Sequence, residues 1–287
     1  MKIRYCVLAF ILVVLISFKG DKPAYELYGI KGKTVEYKDL LEEVLTADIV
    51  FFGEYHDNPI AHWLQLELTK DLFEKKKQNL VLGAEMLEAD NQLVLDEFLG
   101  GLIKEKKFEA DCRLWPNYKT DYRPLVRFAK ENSLRFIATN VPRRYASMVY
   151  GGGYEVLNGL SAAARELIPT LPIVYNEKLE CYSSMLKMEG MGHGSPNLPK
   201  SQNLKDATMA HFILKNWEPG NTFLHYNGAY HSDNNEGIVW HVKNSNAELK
   251  IVTITTVSQA KIDKLEKENR GGANFILCVP ENMTSTH

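Results

Sequence analysis

The sequence predicts an α/β protein with a mainly parallel sheet and helices on both faces. Short, continuously apolar segments alternate along the chain with segments whose apolar residues recur at helical spacing. Strands that alternate with helices pair in parallel through right-handed crossovers. A chain of 287 residues suits one α/β domain preceded by an N-terminal appendage.

The individual elements follow from apolar periodicity and from glycine and proline at their ends. Six strands are predicted, at 48–52, 79–84, 134–139, 221–226, 249–257 and 274–279. Helices are predicted at 59–77, 90–99, 123–132, 142–150, 161–167 and 202–217, with a weakly patterned one at 171–190 and a short one at 237–242. Residues 25–37 alternate between polar and apolar and predict a hairpin at the sheet edge.

The N-terminus has the pattern of a targeting segment. Lys2 and Arg4 introduce positive charge, and residues 5–18 form an apolar run. That run is shorter than the roughly 20 residues of a bilayer span, so it fits a signal peptide better. No clear pair of small residues marks a cleavage site, so an uncleaved anchor remains the alternative. We therefore expect residues 1–20 to direct export to the periplasm or cell envelope and residues 21–287 to form one domain.

Composition excludes some classes of function. The net charge is -2 and the basic residues are scattered, so no basic surface for nucleic acid is expected. Beyond the N-terminal segment the chain has an odd number of cysteines, Cys112, Cys181 and Cys278. At least one thiol must then be free, and no C-x-x-C pair indicates a zinc site.

The strongest indication of function lies where the predicted strands end. Gly53-Glu54-Tyr55-His56 follows the first strand, Glu85 the second, Asn140-Val141-Pro142-Arg143 the third, and Gly228-Ala229-Tyr230-His231 the fourth. Sites in parallel sheets form at the carboxyl ends of the strands, so these groups are expected to converge at one edge.

Two histidines and two carboxylates suit either general acid–base chemistry or a divalent metal. Glu54, His56, Glu85 and His231 are the catalytic candidates, and His56, Glu85 and His231 are the metal-ligand candidates. Gly53 and Gly228 are expected to allow a sharp turn through a positive φ. One histidine after a strand is usually a polar loop residue, but the repeated Gly-x-x-His motif favours a site. His193, in a glycine-rich loop, fits a ligand loop and a mobile loop equally well.

The same segments resemble a known family, the ChaN-like haem-binding uptake proteins of the Tiki superfamily. The matching segments occur in the family's order over about residues 45–255. They are Gly53-Glu54-Tyr55-His56-Asp57-Asn58-Pro59 with His62 and Gln65, Glu85-Met86 with Gln92, Tyr122-Arg123-Pro124-Leu125, Ala138-Thr139-Asn140-Val141-Pro142-Arg143, Gln202 with Asp206, Asn227-Gly228-Ala229-Tyr230-His231, and Gly237-Ile238.

The resemblance implies an exported α/β protein that binds haem in iron uptake, with a tyrosine as haem ligand. Tyr55 and Tyr230 lie inside the motifs, and Arg123 and Arg143 are candidates for the haem propionates. The expected partners are haem, envelope transport proteins and a second copy of the chain.

Another branch of the superfamily implies a metal-dependent hydrolase, of peptidase or esterase type, with a small-molecule or peptide substrate. A third alternative is a protein that keeps the motifs only as scaffold. The sequence leaves these open, including whether the protein is an enzyme.

Overall fold

A computed structural model describes residues 22–189 and 195–287. Seven strands form one sheet: β1 Glu26–Gly29, β2 Ile49–Glu54, β3 Leu80–Glu88, β4 Arg135–Asn140, β5 Thr222–Gly228, β6 Ile251–Gln259 and β7 Phe275–Pro280. Their order across the sheet is β1-β7-β6-β2-β5-β3-β4. All neighbours pair in parallel except β1 with β7. The predicted α/β class is confirmed.

Helices cover both faces of this sheet. They are α1 Tyr37–Val44, α2 Pro59–Lys76, α3 Gln92–Leu99, α4 Glu105–Asp111, α5 Arg123–Glu131, α6 Arg143–Gly152, α7 Ala162–Arg165, α8 Glu180–Glu189, α9 Leu198–Asn216 and α10 Ile238–Ser245. None of the helices in the described ranges has the length and apolar character of a membrane span.

The core divides according to the pleat of the strands. Phe52 belongs to the apolar cluster under α2, together with Leu64 and Leu68. Its neighbour Phe51 belongs to the opposite cluster, where Ile213 of α9 packs. Successive side chains of a strand point to opposite faces, so a continuously apolar strand fills both layers. This explains why the central strands could be identified as apolar runs.

Helix α2 begins where its sequence predicts. Asn58 Oδ1 accepts hydrogen bonds from the backbone N–H groups of Ile60 (3.1 Å) and Ala61 (2.9 Å), and Pro59 occupies the first turn. An asparagine cap followed by proline suits a helix start because it satisfies exposed N–H groups and fixes φ. The cap places the first Gly-x-x-His motif directly before the helix.

Three local predictions were wrong or incomplete. Of the predicted range 171–190, the described residues 171–189 are helical only at Glu180–Glu189, because residues 171–179, with Pro172, make irregular turns. The front hairpin is a single strand, β1, with one isolated bridge between Tyr28 and Thr34, although it does lie at the sheet edge. Strand β3 continues to Glu88 through a register shift after Ala84, so Glu85 lies within the strand.

Candidate functional site

The two Gly-x-x-His motifs lie side by side because β2 and β5 are neighbours in the sheet. Gly53 pairs with Asn227 and Glu54 with Gly228 in their parallel register. Both strands therefore end at the same edge, and Glu85 reaches that edge from β3 on the far side of β5. The structure brings together Glu54, His56, Glu85 and His231.

Glu54 is the centre of the first half of the cluster and is fully buried. Its Oε1 accepts hydrogen bonds from Tyr122 Oη (2.7 Å) and His56 Nδ1 (2.9 Å). Its Oε2 accepts one from Gln65 Nε2 (2.6 Å) and lies 3.4 Å from His62 Nδ1. A buried carboxylate needs this many donors because it has lost its water. Its role in the structure is to orient His56.

His56 is the most accessible ionisable group of the cluster, with 39% of its side chain exposed. Its ring packs edge-on against Trp115, with 4.8 Å between centroids. Its backbone carbonyl accepts hydrogen bonds from Asn117 Nδ2 (2.7 Å) and His62 Nε2 (3.0 Å). Burial lowers the pKa of His56, but the hydrogen bond to Glu54 and the nearby carboxylates outweigh it, so the pKa is raised.

Glu85 and His231 form the buried second half. Glu85 Oε2 accepts the Gly228 backbone N–H (2.8 Å), and Oε1 lies 3.2 Å from His231 Nε2. Burial alone would raise the pKa of Glu85, but the charge and hydrogen bond of His231 hold it well below its usual range. Burial would likewise lower the pKa of His231, but Glu85 and Asp206 raise it to about 10. Glu85 and His231 therefore form a buried ion pair at neutral pH.

Asp206 of α9 completes this pair. Its Oδ1 accepts a short hydrogen bond from His231 Nδ1, and its Oδ2 accepts one from Tyr182 Oη (2.7 Å). Gln202, one helical turn earlier, places Nε2 3.1 Å from His231 Nε2. His231 is thus held between two carboxylates, and both of its ring nitrogens are engaged.

The two glycines have a different role from the predicted one. Neither Gly53 nor Gly228 has a positive φ. Their requirement is space, because a Cβ on Gly53 would lie 2.9 Å from Ala229 Cα, and one on Gly228 would lie 2.8 Å from His56 Cε1. Each motif's glycine makes room for the other motif.

Tyr55 and Tyr230 occupy the same position in the two motifs and are both turned partly to solvent, 41% and 39% exposed. Tyr230 Oη donates a short hydrogen bond to the Cys181 carbonyl and lies 3.1 Å from Ser184 Oγ. Burial and the charge of Asp233 raise the pKa of Tyr55. One partly exposed tyrosine from each motif therefore lies at the carboxyl edge of the sheet, called the open edge below.

Comparison with known proteins places the chain in a family. The profile of the haem-binding uptake proteins of the Tiki superfamily, ChaN, matches residues 40–242, well over half of the chain. The chain belongs to the ChaN family. The resemblance seen in the sequence motifs is thereby confirmed.

Solved structures share the ChaN fold. ChaN of Campylobacter jejuni, whose structure is described as showing cofacial haem binding, superposes with a TM-score of 0.66 at 20% identity, covering 88% of this chain and 96% of that one. A Bacillus cereus protein superposes with a TM-score of 0.50 at 12% identity, covering 89% and 95%. At these identities the likeness concerns the fold alone.

A plant protein is similar over a shorter stretch. The chloroplastic protein RETICULATA-RELATED 5 of Arabidopsis thaliana is 26% identical over 136 residues, which are 45% of this chain and 18% of that protein. The ChaN chain thus corresponds to less than a fifth of this curated relative.

The structure does not favour a divalent metal in this ChaN cluster. Within residues 22–189 and 195–287, no three His, Cys, Asp or Glu side chains are arranged to hold a metal ion. Both ring nitrogens of His231 already contact carboxylates, Nδ1 that of Asp206 and Nε2 that of Glu85. His56, Glu85 and His231 lie close together, but the carboxylates of the cluster are engaged in hydrogen bonds and ion pairs with the histidines.

The two predicted arginines differ in position. Arg143 begins α6 at the open edge, next to Glu88, and its side chain is 70% exposed. Arg123 begins α5, and its guanidinium lies 3.8 Å from Glu109 of α4. Arg123 is engaged in a local ion pair, whereas Arg143 remains available to a ligand at the edge.

Sequence reasoning underestimated the residues that hold the cluster. Gln65 and His62 were marked only by the family match, yet both are buried against Glu54. Asp206 and Gln202 carried no role beyond the family match, although their spacing of four places both on one face of a helix. His193 lies outside the described residues.

Proposed function

We propose that this ChaN protein binds haem at the open edge of its sheet and is exported to serve haem and iron uptake. The observation that carries the proposal is the pair of half-exposed tyrosines, Tyr55 and Tyr230, at equivalent positions beside the accessible His56. Membership of the haem-binding uptake family supports the choice of ligand.

The residues at the edge fit a haem. Haem is flat, mostly apolar and anionic, so it needs apolar walls, an axial ligand and a cation. Trp115 beside His56 offers apolar surface. Tyr55 and Tyr230 offer phenol oxygens, and Arg143 offers a cation. Iron supplies the chemistry of haem when it is bound, while the chain supplies its position.

His56 is a weaker candidate for the axial ligand than either tyrosine. Its Nδ1 is hydrogen-bonded to Glu54, and its Nε2 lies over Gly228, where a Cβ atom would be only 2.9 Å away. Both ring nitrogens are therefore directed into the cluster. The side chains of Tyr55 and Tyr230 are 41% and 39% exposed, and a ligand at Tyr230 would replace its hydrogen bond to the Cys181 carbonyl. We assign the ligand role to Tyr55 or Tyr230.

A spectroscopic titration tests the haem proposal. Haem added to the purified protein is expected to give a shifted Soret band, and Tyr55→Phe or Tyr230→Phe should abolish the tyrosinate signature. Tyr25→Phe is the matched control, since Tyr25 packs against Trp63 near the β1 edge. Metal analysis of the same preparation checks the hydrolase alternative. If haem far in excess produces no spectral change, the haem proposal is wrong.

Export is tested separately. Lys2, Arg4 and the apolar run 5–18 support export of the full chain. We expect the full-length protein in the envelope fraction and a chain without residues 1–20 in the cytoplasm. Recovery of the full-length chain from the soluble cytoplasm alone would contradict the proposal.

A further inference from the structure

Two arginines flank a buried carboxylate at the end of β3. Arg113 Nη1 donates a short hydrogen bond to Glu88 Oε2, and the backbone N–H of Arg143 donates to the same oxygen (3.0 Å). Arg143 Nε lies 4.0 Å from Glu88 Oε1. The side chains of Arg113 and Arg143 are nevertheless 49% and 70% exposed. Most of their N–H groups therefore face solvent.

Arginines outnumber carboxylates in this part of the surface. Arg144 pairs with Asp90 and also stacks its guanidinium on Tyr145, 4.5 Å from the ring centroid. Among residues 22–189 and 195–287, Glu88 is then the one carboxylate that contacts both Arg113 and Arg143, and Arg113 has a further contact of 3.9 Å with Asp90. Arg113, Arg143 and Arg144 together with Glu88 and Asp90 therefore carry a net charge of about +1 at the open edge.

The arginine pair adjoins the ligand edge described above. Arg113 and Trp115 lie on the same loop after α4, and the Trp115 ring packs on His56. Glu88 follows Glu85 by three residues on β3, and the register shift brings Glu88 opposite Asn140 at the end of β4, three residues before Arg143. A flat ligand beside His56 and Trp115 would therefore have the two arginines at its side.

We propose that Arg113 and Arg143 form the carboxylate-binding end of the ligand site and recognise the propionates of haem. The inference rests on the proposed haem-binding function. A guanidinium binds a carboxylate through two parallel N–H donors, and Glu88 holds this pair in place without using those donors up. Arg123, whose guanidinium faces Glu109, takes no part.

Esterified haem tests the inference on the unaltered protein. The dimethyl ester keeps the iron and the macrocycle but loses both negative charges. Charge-assisted hydrogen bonds contribute enough that haem should bind roughly tenfold or more tightly than its diester, measured by Soret titration in the same detergent. If both bind with equal affinity, the inference is wrong while the haem proposal stands. If neither binds, both fail.

Two variants locate the recognition. Arg143→Gln should weaken haem binding roughly tenfold, by the same reasoning, while binding of the diester stays unchanged. Arg113→Gln should act alike, but it also removes a partner of buried Glu88, so Arg143→Gln is the deciding variant. Arg123→Gln is the matched control and should leave both affinities unchanged. Loss of haem affinity in Arg123→Gln alone would overturn the inference.

Discussion

The imidazole of His56 lies directly over the α-carbon of Gly228, in the space that any side chain at position 228 would fill. A Cβ atom there would be 2.8 Å from Cε1 and 2.9 Å from Nε2 of the ring. The relationship is reciprocal, since Gly53 of the first motif lies against Ala229 of the second. The repeated motif is therefore a packing arrangement in which each copy leaves room for the other.

Gly228→Ala is expected to displace His56 without unfolding the protein. The added methyl meets the end of a side chain that can rotate, so overpacking should cost about 1–3 kcal/mol of unfolding free energy. The rotation would break the His56–Glu54 hydrogen bond, and haem affinity should fall with it. Chemical denaturation and a Soret titration measure the two effects.

Two further alanine variants act as controls for this glycine. In Gly53→Ala the new methyl meets the Ala229 backbone at 2.9 Å, which cannot rotate away, so the loss of stability should be larger than for Gly228→Ala. In Gly151→Ala, on helix α6, nothing lies within 4 Å, and stability should rise by up to about 1 kcal/mol. Equal effects of all three variants would contradict this explanation.

The fold could be predicted because the central strands are apolar on both sides and end at polar groups. The apolar run before Gly53 fills two core layers through Phe51 and Phe52. Only a strand between two layers of helices needs apolar side chains on both of its faces. The helix predicted over residues 171–179 was wrong, since the apolar residues of this stretch have no helical periodicity. Pro172 disfavours a helical conformation of Leu171 before it, and residues 173–176 have no regular structure.

The site was only half visible in the sequence. His56 and His231 were found because glycine and strand exits mark them locally. Asp206, in contrast, reaches His231 from a helix 25 residues away, and Tyr122 reaches Glu54 across 68 residues. Such contacts depend on how the helices pack on the sheet. A local sequence pattern carries no information about which residues, so far apart in the chain, will meet.

The hydroxyl of Tyr122 is predicted to stabilise the folded protein through Glu54. Tyr122→Phe leaves the buried carboxylate with one donor fewer, and hydrogen bonds to charged groups contribute roughly 1.5–3 kcal/mol. Tyr118→Phe is the matched control, since among the described residues the buried Tyr118 hydroxyl has no partner. Thermal denaturation should show a clear loss for Tyr122→Phe and none for Tyr118→Phe. A similar loss in both would refute a specific role for the hydroxyl.

His231 is predicted to make the folded protein less stable as pH becomes alkaline. Its pKa is raised from 6.5 to about 10 in the folded protein, so its stabilisation is complete below pH 6.5 and is lost as pH rises towards 10. The free-energy difference between wild type and His231→Gln should therefore shrink over this window, by on the order of a few kcal/mol. Groups remote from His231 titrate alike in both proteins and cancel in the difference, whereas Glu85 loses the charge that lowers its pKa. A difference that stays constant from pH 6.5 to 10 would show that His231 is not held as a cation.

Ser285 and Thr286 form hydrogen bonds that hold the loop carrying His56 in place. The Thr286 backbone N–H donates to the Asp57 carbonyl (2.9 Å), and Ser285 Oγ donates to Asp57 Oδ2 (2.8 Å). Thr286 Oγ1 also donates to Asp121 Oδ2 (2.7 Å). Asp121 in turn accepts from the Asn117 amide that holds the His56 carbonyl, both at 2.7 Å.

Thr286→Val should therefore loosen the His56 loop while keeping the shape of the side chain. The lost hydroxyl donor should lower the unfolding free energy by roughly 0.5–1.5 kcal/mol. The more specific effect is local, because the Asn58 amide, bonded to the Tyr55 carbonyl at 3.0 Å, should exchange its hydrogen faster. Thr284→Val, at an exposed hydroxyl, is the control. Hydrogen exchange that is unchanged at Asn58, or equally faster in both variants, would show that the hydroxyl of Thr286 does not hold the loop.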